Sequence, residues 1–363
     1  MKKFIVVILI VALWGGLFYQ LIGKENRQLN TISQLSALSY KEWLKTSYKN
    51  TLKKQVDALI KKHHYNGTVY VTYHNETLID KSYGFKDAAQ TEPFDKNSMY
   101  LIGSSQKLIT GIITKQLVDS GKIDVNAPVQ NYVTNFIYPD IKIKDLILHR
   151  SGLVKFKNRN SNHGLDASID EINQYGLGNV PIGSFLYNDA NYIVLAKVIE
   201  NVTGKTYKQN VEQRIFKKFH LKESAFFDDI KLKPYFVKGL KFINNTWQIS
   251  EARGLDKFYG AGNIYMSPKD MGVLLNDLMQ YKVLNKNQLD SISTPIIFNT
   301  DSAYRYGMYL KNGYYRTRGY FFGTDFVCLF NHHKVVVIAT NKQIDKEIPN
   351  NEKLAREIFK LLK

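Results

Sequence analysis

The sequence of 363 residues lacks the features that support several common kinds of chemistry. Cys328 is its only cysteine, so no disulfide forms within the chain. For an exported protein, this absence would suit a bacterial surface better than an animal secretory pathway. The histidines include the adjacent pairs His63-His64 and His332-His333, but no His-Glu-x-x-His or Cys/His ligand spacing occurs. A required metal ion is therefore not expected.

Nucleotide-binding and triad signatures are also missing. The sequence has no Gly-x-x-x-x-Gly-Lys loop, no strand-bound Gly-x-Gly-x-x-Gly and no Gly-x-Ser-x-Gly elbow. No cofactor is expected for this reason. His149 follows the apolar segment 141–148, which is expected to be a strand, and is a candidate to orient a catalytic serine. A purely structural histidine is the alternative interpretation.

Acidic residues are scarce relative to basic ones. The chain has 32 Asp and Glu against 50 Lys and Arg, which gives a formal net charge of +18, and a field of this sign attracts polyanions. The lysines are scattered and no recognition motif accompanies them, so nucleic acid is not the expected partner. An anionic cell-wall polymer is the expected partner, with solubility or membrane proximity as the alternative reason for the charge.

A long apolar run occurs at the N-terminus. Residues 4–22 carry no charge, which is close to the ~20 residues that a membrane helix needs. Two lysines precede this run and no small-residue cleavage site follows it, so residues 1–23 are predicted to be an uncleaved signal anchor rather than a removed signal peptide. The rest of the chain is expected outside the cell, with residues 24–57 as a stalk and residues 58–363 as the folded domain.

Strand patterns lie near both ends of this domain and helical patterns lie between them. Two-residue alternation predicts strands at 68–73, 77–83, 324–330 and 335–340. Helical spacing of apolar residues predicts helices at 192–202, from Ser267-Pro268 onward and from about residue 351. This order predicts an α+β domain in which a sheet joins the N- and C-terminal segments and is flanked by helices.

The segment Ser104-Ser105-Gln106-Lys107 places a hydroxyl and an amine one helical turn apart, where an apolar helical pattern begins. A helix start favours developing negative charge, as a nucleophile requires. N-capping by serine is the alternative, although Lys107 in the first turn opposes the helix dipole. Lys107 is expected to act as the base for Ser104 if burial and the helix start lower its pKa.

The segment Tyr187-Asn188-Asp189 lies just before the next predicted helix. Tyr187 is a candidate to relay a proton to the leaving group. N-capping by Asn188 or Asp189 is the alternative explanation for the two polar residues, but it does not explain the tyrosine.

Five segments together carry a family resemblance: YLIGSSQKLITG, GKIDVNAPVQNYV, IKIKDLILHRSGL, FLYNDANYIVLAKVIENVTGKTY and YGAGNIYMSPKDMG. In this order they resemble the serine β-lactamase and penicillin-binding-protein superfamily, in its class C-like esterase branch, from about Asn66 to the end. The chain is most similar there to surface-anchored penicillin-recognising proteins that act as teichoic acid D-alanyl esterases. The resemblance implies a serine β-lactamase-like fold with an antiparallel sheet and an additional all-helical lobe.

The resemblance also implies roles for the candidate residues. Ser104 would be the acylated nucleophile, Lys107 its base and Tyr187 the second proton carrier. The usual Tyr-x-Asn motif reads Tyr-x-Asp here, with Asp189 in the third position. This carboxylate is expected either to pair with the ammonium of a D-alanyl ester or to hold Lys107 in place.

A late strand motif of the superfamily, Lys-Thr-Gly or His-x-Gly, is replaced by Thr317-Arg318-Gly319. Gly319 fits this motif, and the resemblance places one oxyanion-hole N–H on Tyr320, beside that of the nucleophile. The usual cation is missing, so Arg316 or Arg318 is the expected substitute for contacting a substrate carboxylate.

The function expected from this resemblance is removal of D-alanine esters from teichoic or lipoteichoic acids at the cell surface. A D,D-carboxypeptidase or β-lactamase that binds β-lactams uses the same residue types. A general carboxylesterase and a non-catalytic wall-binding protein also remain open.

Overall fold

The computed structural model describes residues 45–157, 163–293, 303–343 and 350–362, together with scattered positions between 20 and 42. The chain divides into two compact units, Met1–Gln55 and Val56–Lys363. Every described residue of the first unit is helical. Most of the predicted anchor lies outside the described residues, and none of the helices within the described part is long and apolar enough to cross a membrane.

The second unit is built on a seven-stranded antiparallel sheet and two three-stranded sheets. Its strands are, in chain order, β1 Gly67–Tyr73, β2 Glu76–Tyr83, β3 Tyr100–Leu101, β4 Ser224–Phe226, β5 Gly239–Ile243, β6 Thr246–Ser250, β7 Ile264–Met266, β8 Tyr304–Arg305, β9 Met308–Lys311, β10 Tyr314–Phe321, β11 Thr324–Phe330, β12 Lys334–Thr340 and β13 Lys342–Gln343. Its α-helices with defined bounds are α1 Gln106–Asp119, α2 Ile143–Ile147, α3 Gly164–Tyr175, α4 Asp189–Thr203, α5 Tyr207–Val211, α6 Pro268–Met279, α7 Lys286–Ser293 and α8 Asn350–Leu361.

The large sheet joins the two ends of the domain, as predicted. Its strand order is β2-β1-β12-β11-β10-β9-β8, so the N-terminal hairpin pairs with a C-terminal strand. In β1 and β12, Val71 lies opposite Val336. Helices α6 and α8 both pack against β12. Because helices cover the sheet, β11 and β12 are almost entirely buried and read as continuous apolar runs.

One element differs from its prediction. The apolar segment 141–148, expected to be a strand, contains the short helix α2. Asp145 accepts a hydrogen bond from the Lys142 backbone N–H at 2.9 Å and so caps the first turn. Ile143, Leu146 and Ile147 repeat at helical spacing and are buried, which explains why an apolar run of this length does not distinguish helix from strand.

The helix that carries Lys107 lies in the middle of the core. Along α1 most side chains are buried, including Gln106, Lys107 and Thr110 as well as the apolar positions. Helix α1 packs against α4 and α5 on one side, and the 3₁₀ turn Gly103–Ser105 before it lies against β10. This packing brings the start of α1, the start of α4 and the edge of β10 together.

Candidate active site

Ser104 lies in the 3₁₀ turn that leads directly into α1. Gly103 before it has φ +48°, a left-handed conformation that favours glycine. A Cβ on this glycine would lie 3.0 Å from Phe321 Cβ and 3.3 Å from Gly319 Cα. Ser105 occupies the N-cap position of α1 but makes no side-chain capping hydrogen bond. Ser104 Oγ instead accepts a hydrogen bond from Lys107 Nζ at 3.0 Å.

Lys107 has a fully buried side chain with three hydrogen-bond acceptors around its amine. Lys107 Nζ lies 3.0 Å from Ser104 Oγ, 2.6 Å from Asp189 Oδ1 and 3.0 Å from the carbonyl oxygen of Ala261. Three acceptors match the three protons of an ammonium group. The arrangement therefore satisfies a charged lysine completely.

The expected lowering of the Lys107 pKa is wrong. Burial lowers the pKa of Lys107, but the Asp189 carboxylate, with a smaller contribution from Tyr187, outweighs burial and leaves the pKa above its ordinary value. Lys107 is thus an ammonium in the resting site. It must lose a proton before it accepts the one on Ser104.

Asp189 is the first residue of helix α4. The cap itself is Asn188, whose Oδ1 accepts a hydrogen bond from the Ala190 backbone N–H at 3.0 Å. The capping alternative therefore explains Asn188 but not Asp189. One carboxylate oxygen of Asp189 bonds to Lys107, and the side chain keeps 31% of its exposure, so the residue contacts the buried amine and is also partly open to solvent.

Tyr187 lies next to the amine, with its ring centroid 5.2 Å from Lys107 Nζ. His149 packs against it at 4.4 Å between ring centroids. His149 is buried, and burial, together with the nearby Lys107 charge, lowers its pKa well below the ordinary value. His149 Nδ1 receives hydrogen bonds from Asn191 Nδ2 at 2.9 Å and from the Asn188 backbone N–H at 3.3 Å. These contacts give His149 a structural role as a neutral support for the Tyr187 loop.

The outer edge of β10 runs beside the nucleophile. β9 pairs only with the first residues of β10, from Tyr314 to Arg316. A Cβ on Gly319 would lie 1.7 Å from the Ile102 carbonyl oxygen and 3.0 Å from the Ser104 backbone nitrogen. Only glycine permits this approach. The same close approach places the Tyr320 backbone nitrogen near the turn that carries Ser104. A Cβ built on Gly103 would lie 3.5 Å from this nitrogen.

The two arginines of β10 do not serve as a substitute for the missing cation. Arg318 forms a bidentate pair with Asp325, with contacts of 2.8 and 3.1 Å. Arg316 forms another with Glu352 of helix α8, at 2.9 and 2.7 Å. Side chains alternate along a strand, so these arginines share a face opposite to that of Gly319. The expectation that they contact a substrate carboxylate is therefore wrong.

A glutamine that sequence reasoning missed fixes the wall opposite Ser104. Gln106 Oε1 accepts hydrogen bonds from the backbone N–H groups of Asn263 and Ile264 at 2.6 and 2.9 Å. Gln106 Nε2 donates to Asn263 Oδ1 at 2.9 Å. These bonds hold the segment that supplies the Ala261 carbonyl to Lys107. The segment YGAGN was visible in the sequence, but nothing there showed which side chain it meets.

The described residues contain no group of three or more His, Cys, Asp or Glu side chains that could hold a metal ion. The polar groups that surround Ser104 are an amine, a carboxylate, a phenol and backbone amides. Such a set can activate a serine hydroxyl and stabilise an oxyanion without further groups. Acyl transfer through a covalent intermediate is a chemistry that this set can perform.

A family model described as beta-lactamase matches residues 52–359. The chain belongs to the beta-lactamase family. Among curated proteins of this family, it is 37% identical over 301 residues to a teichoic acid D-alanine hydrolase of Staphylococcus aureus (strain MRSA252), a match that covers 81% of this chain and 75% of that protein. The resemblance drawn from the sequence motifs is confirmed.

Solved structures of beta-lactamase-like proteins give the same result. The crystal structure of FmtA from Staphylococcus aureus is similar with a TM-score of 0.79 and 36% identity, covering 85% of this chain and 89% of that chain. A penicillin binding protein from Bacillus halodurans is similar with a TM-score of 0.72 and 22% identity, covering 85% of this chain and 100% of that one. The second likeness concerns the fold alone, and the predicted serine β-lactamase-like fold is confirmed.

Proposed function

We propose that this protein is a serine hydrolase that removes D-alanine esters from teichoic acids through an acyl-enzyme on Ser104. The contact chain from Ser104 through Lys107 to Asp189 supports the proposal most directly, because it supplies a nucleophile, a base and a carboxylate that holds this base in place. The relative named a teichoic acid D-alanine hydrolase supports the choice of substrate.

The reaction starts when Lys107 Nζ loses a proton to solvent, which leaves a neutral amine beside the Asp189 carboxylate. Ser104 Oγ then attacks the ester carbonyl and its proton passes to this amine. The backbone N–H groups of Ser104 and Tyr320 hold the oxyanion, and each such donor contributes about 3 to 4 kcal/mol.

Tyr187 carries a proton from Lys107 to the polymer hydroxyl that leaves. Water then attacks the D-alanyl ester on Ser104, its proton passes to the same base, and free D-alanine departs with the serine regenerated. Because no group is oxidised or reduced, this cycle needs only water as a second reactant.

Asp189 also gives selectivity for an aminoacyl ester. Its Oδ1 is occupied by Lys107, while the partly exposed carboxylate still presents Oδ2 to the site. The ammonium group of a D-alanyl ester carries the charge that pairs with this oxygen. Both roles expected for Asp189 are then filled by one side chain.

The same proposal places the enzyme on the outer face of the cell membrane. Residues 1–23 would be the anchor and residues 24–57 the stalk, as their composition indicates. In this position the domain meets both lipid-linked and wall-linked teichoic acids. Cell fractionation, with the protein detected by an antibody against the domain, tests this location. Protein found only in the cytosol or the culture medium would contradict an anchored state.

Release of D-alanine from purified D-alanylated lipoteichoic acid tests the function. Ser104→Ala is expected to lower the rate at least about a thousandfold. Ser105→Ala is the matched control, because the neighbouring hydroxyl points to the Phe326 carbonyl oxygen at 3.5 Å and not to Lys107. If Ser104→Ala retains the wild-type rate, or if a penicillin is turned over and D-alanyl esters are not, the assignment is wrong.

A further inference from the structure

A cavity of about 360 Å³ shares chain segments with the candidate active site. Its walls come from β3, from residues within 227–239 and 249–256, from Tyr265 of β7, and from Phe322 and Thr324 around the turn between β10 and β11. No residue of the proposed catalytic set lines it. The cavity is therefore a separate feature of the domain.

Three chain segments connect this cavity to the catalytic groups. Leu101 lines the cavity and stands three positions before Ser104. Phe322 lines it and stands two positions after Tyr320, in the turn that follows β10. Asp256 lines it at the start of the segment that ends at the Ala261 carbonyl. A polymer that continues from Ser104 along these segments would bring its next unit to the cavity.

The cavity presents exposed positive charge. Lys233 and Lys238 line it, and neither forms an ion pair with a carboxylate in the described part of the chain. The backbone of Lys238 is fixed by a hydrogen bond from Asn341 Nδ2 to its carbonyl oxygen at 3.0 Å. Glu251, also exposed, lines the same cavity. Both signs of charge are thus available to a ligand.

An aromatic floor accompanies these charges. Phe236 and Tyr265 line the cavity and stack with their ring centroids 4.0 Å apart and their planes 3° apart. Ile249 adds an apolar side chain that keeps 52% of its exposure. Carbon–hydrogen faces of a polyol pack on such surfaces, while its hydroxyl and phosphate groups remain at the polar rim.

We infer that this cavity binds the polyol-phosphate unit next to the one whose ester is cleaved. Lys233 and Lys238 would bind its phosphodiester, the Phe236–Tyr265 stack its carbon chain, and Glu251 the ammonium of a D-alanyl group that it carries. The inference rests on the proposed function and deepens it. A polymer repeat with both a phosphate and an ammonium matches a cavity that has both charges, and no simple anion does.

Charge reversal at the two lysines tests this subsite. In Lys233→Glu/Lys238→Glu, the KM for D-alanylated lipoteichoic acid is expected to rise about tenfold or more, because two charge-assisted contacts become repulsive. Hydrolysis of a small ester such as D-alanyl-glycerol is expected to stay unchanged. Lys122→Glu/Lys217→Glu is the matched control, with the same change of net charge at two exposed lysines.

A second variant separates the cavity from the field of the whole protein. Ala252 lines the cavity and is half-buried, so Ala252→Trp fills space without changing charge and is expected to raise the same KM. The inference is overturned if the two double lysine variants raise this KM equally. It is also overturned if neither Lys233→Glu/Lys238→Glu nor Ala252→Trp changes it.

Binding to the Ser104→Ala protein distinguishes failure of the subsite from failure of the proposed function. Polymer stripped of D-alanine is expected to bind Ser104→Ala about tenfold more tightly than it binds the same protein carrying Lys233→Glu/Lys238→Glu. Phosphatidylglycerol vesicles and single-stranded DNA are the competing probes. If either shows this lysine dependence and the polymer does not, the subsite is wrong. If polymer binding shows it but the wild-type protein releases no D-alanine, only the proposed function fails.

Discussion

Lys107 is the residue at which burial and charge compete most directly. Burial favours a neutral amine, while the Asp189 carboxylate at 2.6 Å favours the ammonium and outweighs it. In this protein the carboxylate of the Tyr-x-Asp segment therefore favours the charged form of the Lys107 amine. The amide of the usual Tyr-x-Asn would carry no such charge.

Replacing that carboxylate should move the pH profile. In Asp189→Asn, the attraction that raises the pKa of Lys107 is lost and burial remains, so the pKa falls. The rate depends on the neutral amine and rises as pH passes the pKa, so the acidic limb of kcat/KM should shift downward by about one pH unit or more. If the acidic limb of kcat/KM, measured with a neutral ester, lies at the same pH in Asp189→Asn and wild type, Lys107 is not the titrating base.

The ammonium-binding role of Asp189 has its own test. With D-alanyl-glycerol as substrate, Asp189→Asn should raise KM about tenfold, because the cation loses its partner. With N-acetyl-D-alanyl-glycerol, which has no ammonium, KM should stay near the wild-type value. Equal changes for the two esters would leave Asp189 with only its contact to Lys107.

Strand β10 is the element on which the site depends for close approach. Gly319→Ala should lower kcat about a hundredfold or more, since its Cβ would lie 1.7 Å from the Ile102 carbonyl oxygen and push the strand away from Ser104. Gly178→Ala is the matched control, because a Cβ there meets its nearest atom at 3.5 Å, an ordinary contact. If Gly319→Ala hydrolyses a neutral ester at the wild-type rate, the oxyanion hole does not depend on the close approach of β10 to Ser104.

The opposite face of β10 is tied to helix α8 through buried charge. Glu352 is 6% exposed and accepts hydrogen bonds from Arg316 and Arg356. Burial raises the pKa of Glu352, but the two arginines outweigh it and hold the pKa at about 2. This depressed pKa stabilises the fold above the ordinary pKa near 4.5, and the contribution is lost as pH falls from there towards 2.

Glu352→Gln should therefore destabilise the domain at neutral pH by about 3 kcal/mol, because it leaves Arg316, whose side chain is only 16% exposed, without its buried anion. Urea unfolding at pH 7 and at pH 3 measures this, and the difference from wild type should shrink at the lower pH. Asp228→Asn removes a pair in which the carboxylate is 44% exposed and should cost less than about 1 kcal/mol. A pH-independent difference for Glu352→Gln would contradict the charge network.

Local pattern was enough to predict several elements. Alternation in 68–73 and 77–83 corresponds to the hairpin of β1 and β2, and Ser267-Pro268 marks the start of α6, where Ser267 caps the Asp270 backbone N–H. The segment 141–148 was mistaken for a strand because its short apolar run fits both periods. Long-range contacts decided the rest. Asp189 is 82 positions from Lys107, and Glu352 is 34 from Arg318, so neither the raised pKa nor the direction of the arginine is visible locally.

At the scale of the whole molecule, the net charge of +18 acts on a polymeric substrate and not on a small one. Raising salt from about 0.05 to 0.5 M shortens the screening length, so KM for teichoic acid should rise several-fold. KM for a neutral ester should stay constant. The ratio of the two KM values across a salt series measures this, and a ratio that does not change would remove electrostatic attraction from the account.

The central claim is that the acyl group resides on Ser104, and intact-mass spectrometry after brief mixing with D-alanylated lipoteichoic acid tests it most directly. Wild-type protein should gain the mass of one D-alanyl group, with the peptide containing Ser104 carrying it, and Ser104→Ala should gain none. An adduct on Ser104→Ala, or D-alanine release by wild type with no dependence on this serine, would contradict the account.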